Sequence, residues 1–204
     1  MAAMKKSPGS YHHGDLRTAL IEETERMIAA GTLDQITLGE LGNRLGVARS
    51  APYRHFPGKN DLLCTVATRA FERMHERWRA IRADESLPLL ARVRSIMRAY
   101  FNFALTHGDE YRLMYREGLV GENESPRLLA AREAVFGELV ELILACQQAG
   151  LIERKDPEEQ VLFCWAPFHG MASFVIDQHL PAELFEAMLE WSIESVLRGL
   201  GAKV

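Results

Sequence analysis

The sequence predicts an all-α fold in two domains, residues 1–62 and 63–204. Three observations carry that expectation. Apolar residues recur at i, i+3 and i+4 along almost the whole chain. No segment shows the period-two alternation of a half-buried strand. Glycines, prolines and capping residues punctuate the chain at intervals that suit about nine helices.

The first helix is expected from about Asp15 to Ala30, with Leu16, Ala19, Leu20, Met27 and Ile28 on one face and Gly31 as its stop. Thr37-Leu38-Gly39-Glu40 reads as a capping box. It opens a short second helix whose apolar side is Leu38, Leu41 and Leu45 and which ends at Gly46. A third short helix covers about Arg49 to Phe56, closed by Pro57 and Gly58. Pro52 is tolerated only in a first turn, which favours a start near Ser50. A long fourth helix begins near Asn60 and carries Leu63, Val66, Ala67, Ala70, Phe71, Met74 and Trp78; the domain seam falls inside it. The fifth runs from Ser86–Pro88 to about His107, and a short sixth to about Glu117. After a loop from Gly118 to Ser125, Pro126 suits the start of a seventh helix that reaches Ala149. The eighth runs from Asp156–Pro157 to about Gln178 with a kink expected at Pro167, and the ninth from Pro181 to Leu200.

Nearly half of the 204 residues are hydrophobic and a quarter are charged, an ordinary globular balance. The net charge of -4 argues against the molecule as a whole binding polyanions. Its distribution is uneven, however. From Glu40 to Asp61 no acidic residue intervenes, and the stretch holds Arg44, Arg49, Arg54, Lys59 and His55. Cys64, Cys146 and Cys164 form no CxxC pair, which speaks against a disulfide framework or zinc site and suits a reducing cytosol. Lys5, Lys6, His12 and His13 are followed by no apolar stretch, so no signal peptide is expected. The longest apolar run, around Phe163 to Ile176, is interrupted by Pro167, His169 and Gly170 and falls short of the roughly 18–20 residues of a membrane span. A cytoplasmic protein with no membrane partner is expected.

The second helix, a Gly46-Val47-Ala48 turn and the third helix together make a helix-turn-helix. Such a unit lays its second helix in a major groove. Arg49, Ser50, Tyr53, Arg54 and His55 are the polar members of that helix, with Phe56 and Val47 as its anchors. Lys59 and Thr37 stand at helix starts, where free backbone N–H groups and the helix dipole favour phosphate. A solvated basic face is the alternative reading of the same residues.

Residues from about Tyr11 to Met74 resemble the N-terminal domain of the TetR/AcrR family of transcriptional regulators. The run ITLGELGNRLGVARSAPYRHFPGKNDLL carries the likeness, with Thr37, Leu41, Gly46, Val47, Tyr53, His55, Phe56, Lys59 and Leu62-Leu63 on the motif positions. The lead-in YHHGDLR is similar to that of one branch. Ala48 departs from the family's usual serine, and Pro52 lies inside the short third helix. By this resemblance Tyr53 and His55 contact backbone or bases, Lys59 and Thr37 bind phosphate, and the third helix reads double-stranded operator DNA.

The second half resembles the same family more weakly, through Trp165, His169 and Gly170 in a WHG-type C-terminal pattern. The resemblance implies a homodimer sealed by the last two helices, for which Leu184, Met188, Trp191 and Ser195 have the spacing; the same stripe suits intramolecular core. It also implies an effector pocket for a small apolar molecule among the fifth to eighth helices. Tyr100, Phe103, Tyr111, Met114, Phe136, Trp165, Phe168 and His169 are its candidate lining, and plain packing is the other reading of each. The expected function is a ligand-released repressor with no cofactor and no metal. Its alternatives are a metal-sensing regulator and a helical protein-interaction module. No enzyme is expected: Cys164 and His169 diverge on a helix, adjacent Asp109 and Glu110 do not converge, and no nucleophile triad or phosphate-cradling glycine loop is present.

Overall fold

A computed structural model describes residues 16–119 and 125–203. The lead-in from Tyr11 to Asp15, with His12 and His13, lies outside the described residues. Among those described, the chain is all-helical: α1 (Leu16–Ala29), α2 (Leu38–Arg44), α3 (Lys59–Ala83), α4 (Leu89–Thr106), α5 (Gly108–Met114), α6 (Pro126–Gln148), α7 (Pro157–Ile176) and α8 (Ala182–Gly199). Two 3-10 turns, Leu33–Gln35 and Pro52–Arg54, complete the order. Two compact units divide the chain, Met1–Leu62 and Leu63–Val204.

Eight α-helices stand where nine are expected, because the third helix is not α. It is a 3-10 turn at Pro52–Arg54, reached through a bond from Ala51 N–H to the Ala48 carbonyl at 2.8 Å and left through His55 N–H to Pro52 at 3.0 Å. Pro52 has no N–H to give to an i−4 carbonyl, and Ala48 has no side-chain oxygen to cap a longer helix. Bonds to i−3 carry the turn, with a single i−4 bond from Phe56 N–H to the Pro52 carbonyl at its end. The capping box is also half of what the sequence predicts. Thr37 Oγ1 accepts from the Glu40 N–H at 3.1 Å, but the Glu40 carboxylate turns to Arg44 Nε at 3.0 Å.

The first unit packs Leu20, Met27, Ile28, Ile36, Leu41, Phe56 and Leu62 into one core. In the second, α7 packs against α4, α6 and α8, with Phe101, Leu113, Phe168, Ile193 and Leu197 fully buried. Its helices start on identifiable caps. Ser125 Oγ accepts from Leu128 N–H ahead of Pro126, and Asp156 Oδ1 accepts from Glu158 and Glu159 N–H ahead of Pro157. The helix α7 continues through Pro167. α3 and α6 are tied by Glu138, a buried carboxylate that takes Arg82 Nε and lies 3.1 Å from His75 Nε2. Among the described residues no helix is long and apolar enough to cross a membrane.

Two glycines give a paired test of this backbone. Gly46, just past α2, has φ +67, and no atom lies within 4 Å of a Cβ placed there. Gly46→Ala therefore costs only conformational strain, about 1–2 kcal/mol. Gly137, inside α6, is equally open but has ordinary helical φ, so Gly137→Ala adds about 0.5–1 kcal/mol of stability. Urea midpoints followed by circular dichroism should move in opposite directions.

Candidate nucleic-acid interface and ligand cleft

Two glycines one turn apart on α2 build the platform of the first unit. A Cβ at Gly42 would lie 3.3 Å from Pro52 Cγ, and one at Gly39 would lie 3.0 Å from Arg49 Nε. The bare backbone lets the following segment lie directly on the helix. Pro52 is buried there, and Phe56 is 2% exposed. The Arg17 guanidinium covers the Phe56 ring at 5.0 Å from its centroid. Between these anchors Ser50, Tyr53, Arg54 and His55 face solvent, and Tyr53 is 56% exposed. Tyr53 is held in solvent by buried Pro52 before it and buried Phe56 after it.

Arg49 is exposed but lies back across α2. Thr37 is exposed at the start of α2, its oxygen occupied by the cap and its O–H still able to donate. Lys59, at the start of α3, is half-buried and its Nζ donates to the Leu33 carbonyl at 3.3 Å. Arg44, part of the same acid-free stretch, is engaged by Glu40 and Glu23. Gly39, Gly42 and Arg17 are contributors that the sequence reading misses. The signal for the glycines is present: LGELGNRLG places glycine twice inside a short helix, where each costs up to about 1 kcal/mol relative to alanine.

The second unit gathers an aromatic and polar cluster. Tyr100 Oη lies 2.8 Å from Tyr111 Oη and 3.0 Å from His169 Nδ1, and Tyr111 Oη lies 2.5 Å from the same nitrogen. The Trp165 indole N–H donates to Tyr100 Oη at 2.9 Å. Burial pushes the Tyr100 and Tyr111 phenols up and Tyr115 up to about 12, and it lowers His169. All these groups are therefore neutral at pH 7. Trp165 donates to Tyr100, and the two phenols and His169 Nδ1 lie within hydrogen-bond distance of one another, each phenol able to donate or accept.

Two hollows flank this cluster. A cavity of about 40 Å³ lies among Val93, Ile96, Tyr100, Leu142, Trp165 and Phe168; it is water-sized. A cleft of about 710 Å³ is walled by Phe71, Trp78, Tyr115, Phe136, Trp165 and Arg132, within the range of small-molecule sites, about 300–1,000 Å³. Trp78, Leu139 and Trp165 belong to both. Of the candidate lining, Tyr100, Trp165 and Phe168 reach the cavity, Phe136 and Trp165 the cleft, and Tyr111 and His169 the hydrogen-bonded chain. Phe103 instead stacks on His107 at 5.1 Å, and Met114 is fully buried; the structure brings neither to a hollow described here. Trp78 and Arg132 come to the cleft from outside the sequence-based set.

The α8 stripe faces outward: Leu184 is 45%, Met188 38% and Trp191 66% exposed, with Ser195 half-buried one turn on. Phe163 and Phe174 of α7 are likewise about half exposed. The Phe163 ring lies where a Cβ on Gly199 would stand, 2.7 Å away, so α7 and α8 approach closely there.

Residues 20–65 match the family model described as bacterial regulatory proteins, tetR family, and residues 93–196 match that of the tetracyclin repressor-like C-terminal domain. A nucleoid occlusion factor SlmA from Marinomonas sp. (strain MWYL1) is 29% identical over 114 residues, 56% of this chain and 57% of that protein. The match thus spans less than two thirds of that relative's length. A solved protein of unknown function from Rhodococcus sp. RHA1 is similar at 26% identity and a TM-score of 0.83, over 95% of this chain and 99% of that one. A TetR-family transcriptional regulator from Pectobacterium atrosepticum has a TM-score of 0.70 at 22% identity, over 90% and 93% of the two chains. The fatty acid degradation regulator FadR from Bacillus halodurans has 0.73 at 15%, over 95% and 100%. The last two likenesses show the fold alone.

The half-buried imidazole of His169 yields a prediction about pH. Burial lowers the His169 pKa below that of the unfolded chain, so the unfolded state binds the proton more readily. Stability is then retained above the ordinary histidine range and lost as pH falls through it. Between about pH 7 and about pH 5 the wild type should lose more thermal stability than His169→Gln, which carries no proton to bind. Equal losses would place the charge cost elsewhere.

Proposed function

The chain belongs to the TetR family of bacterial regulatory proteins and is a DNA-binding transcriptional regulator; from that premise we propose that it is a repressor. It binds operator DNA in the cytoplasm as a homodimer, and a small apolar effector releases it. The observation that carries this reading is the exposed Ser50-to-His55 segment, seated on Gly42 through buried Pro52 and free of any carboxylate from residue 41 to 60.

Each candidate has a role. Tyr53, Arg54, His55 and Ser50 meet base edges and the backbone beside them. Arg49, held back over Gly39, serves phosphate, as do the Thr37 hydroxyl and the Lys59 ammonium at two helix starts. The exposed stripe Leu184, Met188, Trp191 and Ser195, with Phe163 and Phe174 of α7, supplies the dimer seam; exposed apolar area on this scale is characteristic of an interface. Two protomers then present two reading segments about 34–36 Å apart, to successive major grooves. The effector enters the cleft of the second unit and favours a state with a different spacing. α3, whose first turn belongs to the first unit, carries the change. A coupling of about 1–3 kcal/mol suffices to empty an operator.

Duplex selected from a random pool provides the test. Tyr53→Ala should weaken binding to selected duplex by about 1–3 kcal/mol and binding to random duplex by less. Lys59→Ala should weaken both alike and lower the slope of log affinity against log salt by about one. An unchanged slope would remove Lys59 from the phosphate contacts. Trp191→Asp should yield a monomer by sedimentation that no longer binds a two-half-site duplex; a variant that remains dimeric would move the seam away from α8.

A further inference from the structure

The two hollows of the second unit share a wall. Trp78, Leu139 and Trp165 line both the cavity of about 40 Å³ and the cleft of about 710 Å³. The remaining linings differ in character. On the cavity side stand Val93, Ile96, Ile143, Val161 and Phe168, and among the described residues no charged side chain lines it. On the cleft side Arg132, Glu133 and Glu158 stand beside Phe71 and Phe136. Within the wall Trp78 is buried, whereas Trp165 is half-buried and its Nε1–H is held by Tyr100 Oη at 2.9 Å. If that bond opens, Tyr100 keeps Tyr111 at 2.8 Å and His169 at 3.0 Å. The backbone beside the indole is weakened as well. Pro167 has no N–H to give to the Phe163 carbonyl, and Gly170 follows in the same helix.

We propose that cavity and cleft are the two ends of one site with the Trp165 indole as its internal gate, and that the ligand is a chain-shaped amphiphile. Its apolar end displaces the indole and enters the cavity, and its polar end stays among the charged groups of the cleft. The proposal rests on the reading of the cleft as the effector site and adds the ligand's shape and orientation to it. A cavity of about 40 Å³ is water-sized and holds no ligand by itself. Joined to the space of a displaced indole, it takes an alkyl end. Its walls offer that end burial and offer a polar group almost nothing to bond, so alkyl carbon is the filling they favour. A molecule charged at both ends would carry an unpaired charge into these surroundings and is excluded from the inner half.

Decanol bearing bromine on its terminal carbon locates the apolar end. In a crystal of the complex, the anomalous signal of the bromine should lie among Val93, Ile96 and Phe168. Bromine in the cleft would overturn the joined site and leave the cleft standing as the effector site. Bromine in neither hollow would remove the effector site as well. Two variants ask the same question in solution, by calorimetric titration with that probe. Trp165→Phe keeps an aromatic wall but has no N–H to release, so affinity should rise about threefold to tenfold. A fall would make the indole a contact rather than a gate and overturn the proposal. Val93→Phe fills the cavity at a position that does not line the cleft. It should lower affinity about tenfold, as the loss of one or two buried methylenes does; unchanged affinity would also overturn the proposal. The crystal measurement uses the unaltered chain and decides even where Val93→Phe does not fold.

Discussion

The first unit depends on two missing side chains. Gly39 and Gly42 strip one face of α2 to its backbone, and Pro52 and Arg49 occupy the space a Cβ would take. Because Pro52 is seated, the segment that contains it cannot rotate. Because it cannot rotate, Tyr53, Arg54 and His55 are committed to solvent while Phe56 is committed to the core. The proline that prevents an α-helix here is also the group that fixes the presentation of its neighbours. Tyr53, Arg54 and His55 are all exposed because the buried Pro52 and Phe56 bracket them in the chain.

The second unit solves a different problem, that of polar groups inside an apolar bundle. The polar groups of Tyr100, Tyr111, His169 and Trp165, from three helices, would each be costly to bury alone. Joined into one hydrogen-bonded cluster around Tyr100, they satisfy one another. Trp165 belongs to that cluster through its N–H and to both hollows through its ring. A molecule that moves the indole must therefore break its bond to Tyr100, which sits among α4, α5 and α7 through Tyr111 and His169. A cleft-lining position and helix packing meet in one residue, so the two readings of Trp165 left open by the sequence are not exclusive.

Much of the fold was legible because its signals are local. Thr37, Pro126 and the Asp156-Pro157 pair mark helix starts with side-chain oxygens and a fixed φ, and each start falls within two residues of where the sequence predicts it. The third helix was misjudged because a basic, polar run following a turn has helical periodicity, and one missing N–H at Pro52 decides between α and 3-10 bonding. The effector cleft was only half legible. Phe136 and Trp165 announce themselves as aromatics, but Trp78 reads as one more apolar residue of α3 and Arg132 as one of many surface charges. Their meeting is set by packing between α3, α6 and α7, to which no spacing along the chain refers.

How a chain of net charge -4 can serve a polyanion follows from the range of the forces involved. At physiological salt, charges more than about 8 Å apart are largely screened. A phosphate approaching Arg54 therefore responds to the charges near it rather than to the net charge of the chain. The modest number of cations between residues 41 and 60 has a consequence. Few phosphate contacts mean weak non-specific binding and a shallow salt dependence, so in the proposed function residence on an operator comes mainly from base readout by the exposed turn. Specific binding exceeds non-specific binding by about 4–10 kcal/mol in proteins of this kind. A regulator resting near the lower end of that range can be dislodged by an effector of modest coupling, whereas one clamped by many phosphates could not. Under the proposed function the sparse charge of the exposed segment and the cleft in the second unit belong to one energetic arrangement.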